Sequence, residues 1–290
     1  MHQFLLYFGL GIVTAAILSL SAVAMTLEYA VSKVANLAHG ELLTIGAYAA
    51  YEVMKATNSV VLAGAAAAAV GALGGIAMNL AVVERFAGRP VIVTVIATLG
   101  ISLIVQNVCT ILFGGANVGY TVNQGSPRHV GPFVLTPADM IVTGSAVAVA
   151  TLLYLLLQKT KFGKSLRAVS DNRELARASG ISASMVVTAT WGIAGLIAGF
   201  AGFILAETIG TFNASLGFNY LLITLTAAVA GGLGRPYGTL VGAVIVGLIL
   251  ELAGAYSDPS YEVAFALAVL VIMILFRPNG LFAPRQVAKL

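Results

Sequence analysis

Long apolar runs constrain this chain more than any other feature. The run from Phe4 to Leu27 contains no Asp, Glu, Lys or Arg. A helix needs about 20 apolar residues to cross the hydrocarbon core of a bilayer, so this run is long enough to span it. Further long apolar runs lie at 60–83, 91–113, 138–157, 185–206 and 262–276. Since only 9% of the residues are charged, against about a quarter in soluble domains, the pattern predicts an integral membrane protein.

The same runs predict helices rather than a membrane β-barrel. Barrel strands alternate apolar and polar residues over about ten positions, whereas these runs are continuous. Residues 42–54 predict a tilted span or a re-entrant segment. Residues 221–250 are too long for one span, and Gly and Pro in the stretch AGGLGRPYG (230–238) predict a tight break between two segments. The expected fold is an all-α polytopic bundle of about eight or nine membrane segments, one of them broken or re-entrant, forming a single domain over 1–290.

Basic residues predict the orientation. The loop 159–184 is the most strongly charged part of the chain, with Lys159, Lys161, Lys164, Arg167, Arg173 and Arg177. Loops rich in Lys and Arg face the cytoplasm. Counting nine segments from this loop leaves only Lys55 and Arg128 outside, so thirteen of the fifteen basic residues lie inside. We therefore expect the N-terminus outside, the C-terminus in the cytoplasm, and 114–137 as a long outer loop. Basic residues confined to loops in this way do not indicate a nucleic-acid partner.

The basic loop contains a predicted amphipathic helix from Ser165 to Ser179, with Gly180 as its C-cap. Its apolar residues recur at roughly helical spacing, at Leu166, Val169, Leu175 and Ala178. Such a helix could lie on lipid headgroups or dock onto a cytoplasmic subunit. Asp171 and Glu174, which stand among the Arg residues, disfavour binding to anionic lipid, so docking is the preferred interpretation.

Three polar residues stand close together at the start of the segment VANLAHGELLTIGAYAAY (34–51): Asn36, His39 and Glu41. Asn36 or His39 could cap the following helix, with Glu41 in its first turn. Alternatively, the three residues form a polar pivot where non-helical backbone is stabilised inside the protein beside a pathway. The spacing alone favours capping. No metal site is expected, because the three histidines His2, His39 and His129 are far apart in the sequence.

The other polar and small residues in the apolar runs suggest structural roles. We expect headgroup placement for the acids at the ends of runs, Glu52, Glu207 and Glu251, and a buried apolar environment for Cys109. Hydrogen bonds between helices are expected for Asn79, Gln106 and Asn107. Glycines four residues apart predict close helix packing within the chain, or one subunit interface, at Gly71 with Gly75, Gly195 with Gly199, and Gly238 with Gly242.

Four segments together resemble a known family: NLAHGELLTIGAYAAY, RAVSDNRELARASGI, AAVAGGLGRPYGTLVGAVIVGLILEL and LFRPNGLF, in this order. They are similar to the LivH-type membrane permease subunits of the branched-chain (hydrophobic) amino-acid ABC importers. The resemblance runs across nearly the whole chain. It implies a non-catalytic subunit of a bacterial inner-membrane importer, without a cofactor of its own.

The resemblance also implies partners and site residues. Such a permease pairs with a second, related permease, two cytoplasmic ATPases bind beneath, and an extracytoplasmic binding protein delivers the solute. The basic loop would be the coupling helix that sits in a groove of the ATPase, with contacts from Arg167, Asp171, Glu174, Arg177 and Gly180. Asn36, His39 and Glu41 match the family segment NLAHGE, which favours the pivot interpretation near the translocation route.

Three alternatives stay open at this point. A permease of the same family could carry urea or short amides. An ion-coupled secondary transporter would accommodate the broken segment near Gly231 to Gly238, but it needs a buried carboxylate, and the acids stand at the ends of the apolar runs. An intramembrane enzyme is disfavoured because the sequence has no convincing catalytic motif.

Overall fold

The structure of the chain is a computed structural model that describes residues 2–120, 125–130, 133–258, 261–277 and 280–281. The described residues form an all-α bundle of eleven α-helices with one small sheet. The helices are α1 His2–Ser32, α2 His39–Thr57, α3 Val60–Met78, α4 Val91–Phe113, α5 Pro137–Lys159, α6 Lys161–Asp171, α7 Arg173–Ala178, α8 Ala183–Ile209, α9 Leu216–Gly231, α10 Pro236–Tyr256 and α11 Glu262–Phe276. A π-helical turn at Asn79–Val83 extends α3, and the strands are β1 Arg128–Val130 and β2 Phe133–Leu135.

Six of these helices are long and apolar enough to cross a membrane: α1, α3 with its π-helical turn, α4, α5, α8 and α10. Helices α9 and α11 are apolar but shorter. The predicted spans 91–113 and 262–276 coincide with α4 and α11, and the predicted break at 230–238 falls between α9 and α10. Gly232 and Gly234 have φ values of 103° and 84° there, a conformation that only glycine adopts without strain.

The first helix departs from its prediction. The uncharged run ends at Leu27, but α1 continues to Ser32 and carries Glu28 inside the bundle, with no exposed surface. The segment predicted at 42–54 is one continuous helix, α2, and its first residue, His39, is already fully buried. The chain between the two helices, residues 33–38, is non-helical backbone that enters the bundle after exposed Lys33 and is buried at Val34, Asn36 and Ala38.

Helices α1 and α8 form the centre of the bundle. In their most apolar stretches 83% of α1 and 72% of α8 is buried, against 17% for α4 and 22% for α5. The outer faces of α4 and α5 are apolar and exposed, as helices in contact with lipid require.

Glycines bring α3 and α8 into backbone contact. A Cβ on Gly71 would lie 2.2 Å from the carbonyl oxygen of Gly195, and a Cβ on Gly75 would lie 2.2 Å from that of Trp191. Gly199 packs against Gly71 in the same contact, and Gly242 packs against Gly231 between α10 and α9. The glycine pairs predicted from their spacing thus serve packing within the chain.

One end of the bundle, which we call the basic end, carries α6 and α7. Ser170 of α6 donates a hydrogen bond to the carbonyl of Ala30 near the end of α1, at 2.8 Å. The single helix predicted over 165–179 is wrong: α6 ends at Asp171 and α7 begins at Arg173. The reason is Asn172, whose side-chain oxygen accepts from the backbone N–H groups of Glu174 and Leu175 and caps α7.

The opposite end, which we call the sheet end, carries β1 and β2. The two strands pair antiparallel, with Val130 opposite Phe133. Phe133 stacks on Phe8 of α1 with ring centroids 6.0 Å apart. Val118 pairs with Phe212 through two backbone hydrogen bonds of 2.8 Å, which holds the loop after α4 against the α8–α9 connection.

Candidate functional site: a buried polar network between α1, α2 and α9

The carboxylate of Glu28 is the centre of a polar network without contact with solvent. Its Oε1 lies 2.9 Å from Nδ1 of His39, and its Oε2 accepts from Nδ2 of Asn36 at 2.8 Å. Glu28 and His39 have no exposed surface and Asn36 has 2%. An ionised carboxylate can only accept hydrogen bonds, so His39 carries a proton on Nδ1 when Glu28 is charged.

Hydroxyl groups extend this network along α1 to α9. Nε2 of His39 lies 3.4 Å from Oγ of Ser21, and that oxygen lies 3.0 Å from Oγ1 of Thr224. The side chains of α1, α2 and α9 are therefore linked in one chain of hydrogen bonds. Breaking one of these hydrogen bonds would cost free energy, because it would leave a buried polar group unpaired.

Asn36 also shapes the link between α1 and α2. Its Oδ1 accepts from the backbone N–H of Ala38 at 3.0 Å, while its Nδ2 bonds Glu28. The capping interpretation of Asn36 and His39 is wrong for the described residues: the N-cap of α2 is Ala38, which makes no side-chain cap bond. Both side chains bind Glu28 instead.

Glu41 forms a separate polar contact, although it lies in the first turn of α2 as expected. Its Oε1 accepts from Ser102 of α4 at 2.8 Å, and its Oε2 has no hydrogen-bond partner among the described residues. One turn earlier on α4, Thr98 accepts from the backbone N–H of Leu37 at 3.2 Å. The buried face of α4 at this point is thus made of hydroxyl groups, at Thr94, Thr98 and Ser102.

Glycines also bring the starts of α2 and α9 together. A Cβ on Gly217 would lie 1.7 Å from the carbonyl oxygen of Gly40. Oγ1 of Thr44 accepts from the backbone N–H of Gly217 at 3.0 Å, which satisfies one of the unpaired donors at the start of α9. The two helices are therefore joined beside the polar network by contacts that leave no space for a side chain.

The five residues predicted to contact an ATPase are all exposed at the basic end: Arg167, Asp171, Glu174, Arg177 and Gly180. Helix α6 buries Leu166 and Val169 against the bundle, whereas Leu175 of α7 is 64% exposed. Gly180 has φ 82° and its N–H bonds the carbonyl of Arg177, so it ends α7 as predicted.

Three polar residues were predicted to form hydrogen bonds between helices, and two of them bond to another element. Asn79 bonds Thr188 of α8 and Gln106 bonds Ser215, as expected for contacts between elements. Asn107 instead donates to the carbonyl of Leu103 in its own helix, which corrects that prediction.

The environments of the acids and of the cysteine also differ from residue to residue. Headgroup placement fits exposed Glu52 but not Glu207, which is 9% exposed, or Glu251, which accepts from Thr14 at 2.9 Å. Cys109 is buried, as expected.

Comparison with known proteins identifies the class of chain that carries this network. The family model described as "Branched-chain amino acid transport system / permease component" matches residues 7–274. The chain belongs to this family. No solved structure matches it.

Named relatives of this permease span nearly its whole length. The high-affinity branched-chain amino acid transport system permease protein LivH of Escherichia coli K12 is 27% identical over 96% of this chain and 95% of its own. BraD of Pseudomonas aeruginosa, a permease protein of the same description, is 25% identical with the same coverage. The ribose import permease protein RbsC of Escherichia coli K12 is 29% identical over 90% of this chain and 82% of its own. The resemblance inferred from the four sequence segments is thus confirmed.

Sequence reasoning missed the acceptor at the centre of the permease's network. Glu28 was not singled out, because it directly follows the uncharged run, where an acid resembles a boundary. A usable signal existed: Glu28 is the first acidic residue of the chain, and the polar cluster from Asn36 follows it by only a few residues. The hydroxyl groups of Ser21, Ser102 and Thr224 carried no comparable signal, since Ser and Thr are common in membrane helices.

Proposed function

We propose that this chain is the membrane subunit through which an ATP-driven importer moves branched-chain or other hydrophobic amino acids, delivered by an extracytoplasmic binding protein. Membership of the permease family and the relatives LivH and BraD support this cargo. The structural observation that carries the proposal is the exposed, charged α6–α7 pair, which packs on the bundle through the apolar face of α6 and the hydrogen bond from Ser170 to Ala30.

In this proposal the basic end faces the cytoplasm. Nine segments cross or enter the membrane: α1 to α5 and α8 to α11. The basic residues support this orientation, since Lys33, Arg89, Lys159, Arg235 and Arg277 all stand at helix boundaries that a nine-segment count brings to one side. The N-terminus then lies outside and the C-terminus inside.

Helices α6 and α7 act as the coupling element. Two cytoplasmic ATPases bind beneath the permease pair, and one of them contacts Arg167, Asp171, Glu174, Arg177 and Gly180. Closure of the ATPases on ATP pushes α6, and Ser170 transmits the push to the end of α1 through its bond to Ala30. A coupling of this kind needs an element with two packed arrangements.

The link 33–38 and the network around Glu28 form the pivot for that movement. Because this link is non-helical, α1 can turn relative to α2 while Asn36 and His39 keep Glu28 paired. Glu41 and Ser102 connect the same pivot to α4. These residues act on the path by holding helices, and no contact with the solute is assigned to them.

A second, related permease completes the assembly in this proposal. The exposed faces of α3, α4 and α5 offer the necessary surface. Asn107 lies on the exposed face of α4, and a polar side chain at membrane depth favours a protein neighbour over lipid. We propose a heterodimer.

A sugar is the second candidate cargo, because RbsC is similar over 90% of the chain. Urea or short amides remain a third. For an ion-coupled transporter, the argument that all acids stand at the ends of apolar runs no longer holds, since Glu28 and Glu41 are buried. Family membership nevertheless favours the ATP-driven class.

Charge reversal tests the coupling element. Glu174→Arg with Arg177→Glu should abolish ATP-dependent amino-acid uptake and copurification of the ATPases, while the two permeases still copurify. Glu52 and Lys55 provide the matched control, because they are also an exposed acid and base three residues apart, near the end of α2. Reversing that pair should leave both readouts unchanged. Full ATPase binding and uptake in the first variant would refute the assignment.

A further inference from the structure

A cavity of about 400 Å³ opens at the sheet end between α1, α9, α11 and the α8–α9 connection. Its size falls in the range of small-molecule sites. The apolar part of the wall consists of Ile17, Leu216, Ile223 and Val263. The lining also includes exposed neutral polar groups, among them Thr211 and Asn219.

The charge that lines this cavity is negative. Glu262 is the only charged side chain among the described residues that line it. A second carboxylate, Glu251, interacts electrostatically with Glu262 and is held by Thr14, which also lines the cavity. Tyr220 of the cavity wall lies within the field of both acids. Negative charge in a partly buried cleft attracts cations, because low-dielectric walls strengthen the interaction.

The polar network described above lies one helical turn from the cavity wall. Ser21 lies one turn beyond Ile17 on α1, and Thr224 lies one turn beyond Tyr220 on α9. These two hydroxyl groups bond each other at 3.0 Å, and Ser21 lies 3.4 Å from His39. This bond joins α1 and α9 one turn beyond the cavity wall, in the direction of the basic end.

We propose that this cavity is a transient site for the solute on its way through the permease, and that it recognises a primary ammonium group attached to a branched aliphatic chain. Glu262, supported by Glu251, binds the ammonium group, and Ile17, Leu216, Ile223 and Val263 contact the aliphatic part. Asn219 and Thr211 can donate to a carboxylate. The inference rests on the proposed function and deepens it, because an acidic cavity favours an amino acid over an uncharged sugar.

Thiol protection tests this site without transport. Cys109 is the only cysteine of the chain, so Thr208→Cys in a Cys109→Ala background gives a single reactive thiol at an exposed position of the cavity wall. The assembled transporter, in membranes without ATP, is treated with an uncharged thiol reagent. The solutes added are L-leucine, 3-methylbutylamine, which lacks the carboxylate, 4-methylpentanoate, which lacks the amine, and D-ribose.

Leucine and 3-methylbutylamine should slow the modification, and 4-methylpentanoate and ribose should not. Glu262→Gln should raise the half-protecting concentration of both amines by about tenfold or more, since it removes a charge-assisted contact. Glu52→Gln, an acid outside the cavity, should not change it. Val263→Phe, which narrows the cavity without changing its charge, should also weaken protection. An unchanged rate of modification without solute shows that Glu262→Gln and Glu52→Gln keep the cavity intact.

Equal protection by 4-methylpentanoate and leucine, or protection that survives Glu262→Gln, would overturn the proposal. The two proposals fail differently. ATP-driven leucine uptake without any protection would refute the cavity site alone. Protection by amines together with uptake that needs no ATP would refute the proposed function and leave the site standing.

Discussion

Replacing Glu28 with leucine is the most direct test of the buried network. Glu28→Leu keeps a side chain of similar size but leaves Nδ1 of His39 and Nδ2 of Asn36 without their acceptor. Each unsatisfied buried donor costs about 1–3 kcal/mol, so the expected loss in free energy of unfolding is about 2–6 kcal/mol.

The double variant separates the pair from its surroundings. Glu28→Leu with His39→Leu removes both hydrogen-bonded partners, and replacing a buried pair by apolar residues is often neutral. The loss in free energy of unfolding for the double variant should therefore be smaller, by at least about 1 kcal/mol, than the sum of the losses for the two single variants.

Equilibrium unfolding in mixed micelles, followed by helical circular dichroism, measures these differences. Glu52→Leu, at an exposed position, is the control and should stay within about 0.5 kcal/mol of the parent. A loss below about 1 kcal/mol for Glu28→Leu, or single effects that simply add, would refute the argument.

Three further outcomes are expected. Gly75→Ala should destabilise the α3–α8 contact by about 1–3 kcal/mol by overpacking, whereas Gly100→Ala, where a Cβ meets nothing within 4 Å, should not; equal effects would contradict the packing. Asn172→Ala removes the cap of α7. It should lower the stability of this helix by about 0.5–2 kcal/mol and speed amide exchange in the first turn of α7 only. Burial, aided by the negative charge of Glu207, raises the pKa of the Tyr120 phenol, so folding stability is lost as pH rises above about 10. Between neutral and alkaline pH, the Tyr120→Phe variant should lose less free energy of unfolding than the parent protein. An equal loss in both proteins would contradict this.

The spans were predictable because the bilayer imposes their length. Helices α4 and α11 have the predicted bounds, and the glycine-rich break between α9 and α10 lies where Gly and Pro interrupt the run. Sequence patterns do not reveal a hydrogen bond whose partners lie on different elements. Glu28 ends the uncharged run in sequence, but its partners lie on the next link and helix, and no local pattern of α1 contains them.

The candidate site was predicted in part for the same reason. Asn36 and His39 were singled out because polar residues are rare in such a chain, and the structure brings them together. Glu41 belongs to another contact, with Ser102, a residue that no local sequence pattern links to it. The division of the amphipathic segment into α6 and α7 escaped prediction because the capping side chain of Asn172 outweighs the apolar periodicity around it.

The glycine contact between α3 and α8 limits which parts of this permease can move. Each backbone carbonyl at Gly71 and Gly195 fills the volume that a methyl group would need on the opposite helix. A shift by one residue would bring alanine methyls onto those oxygens, so the two helices should travel as a rigid frame. Where α1 meets α9, and where α4 meets α2, hydroxyl groups make the contact instead. Such groups can exchange one acceptor for another, and alternating access should therefore open along these hydroxyl-lined seams.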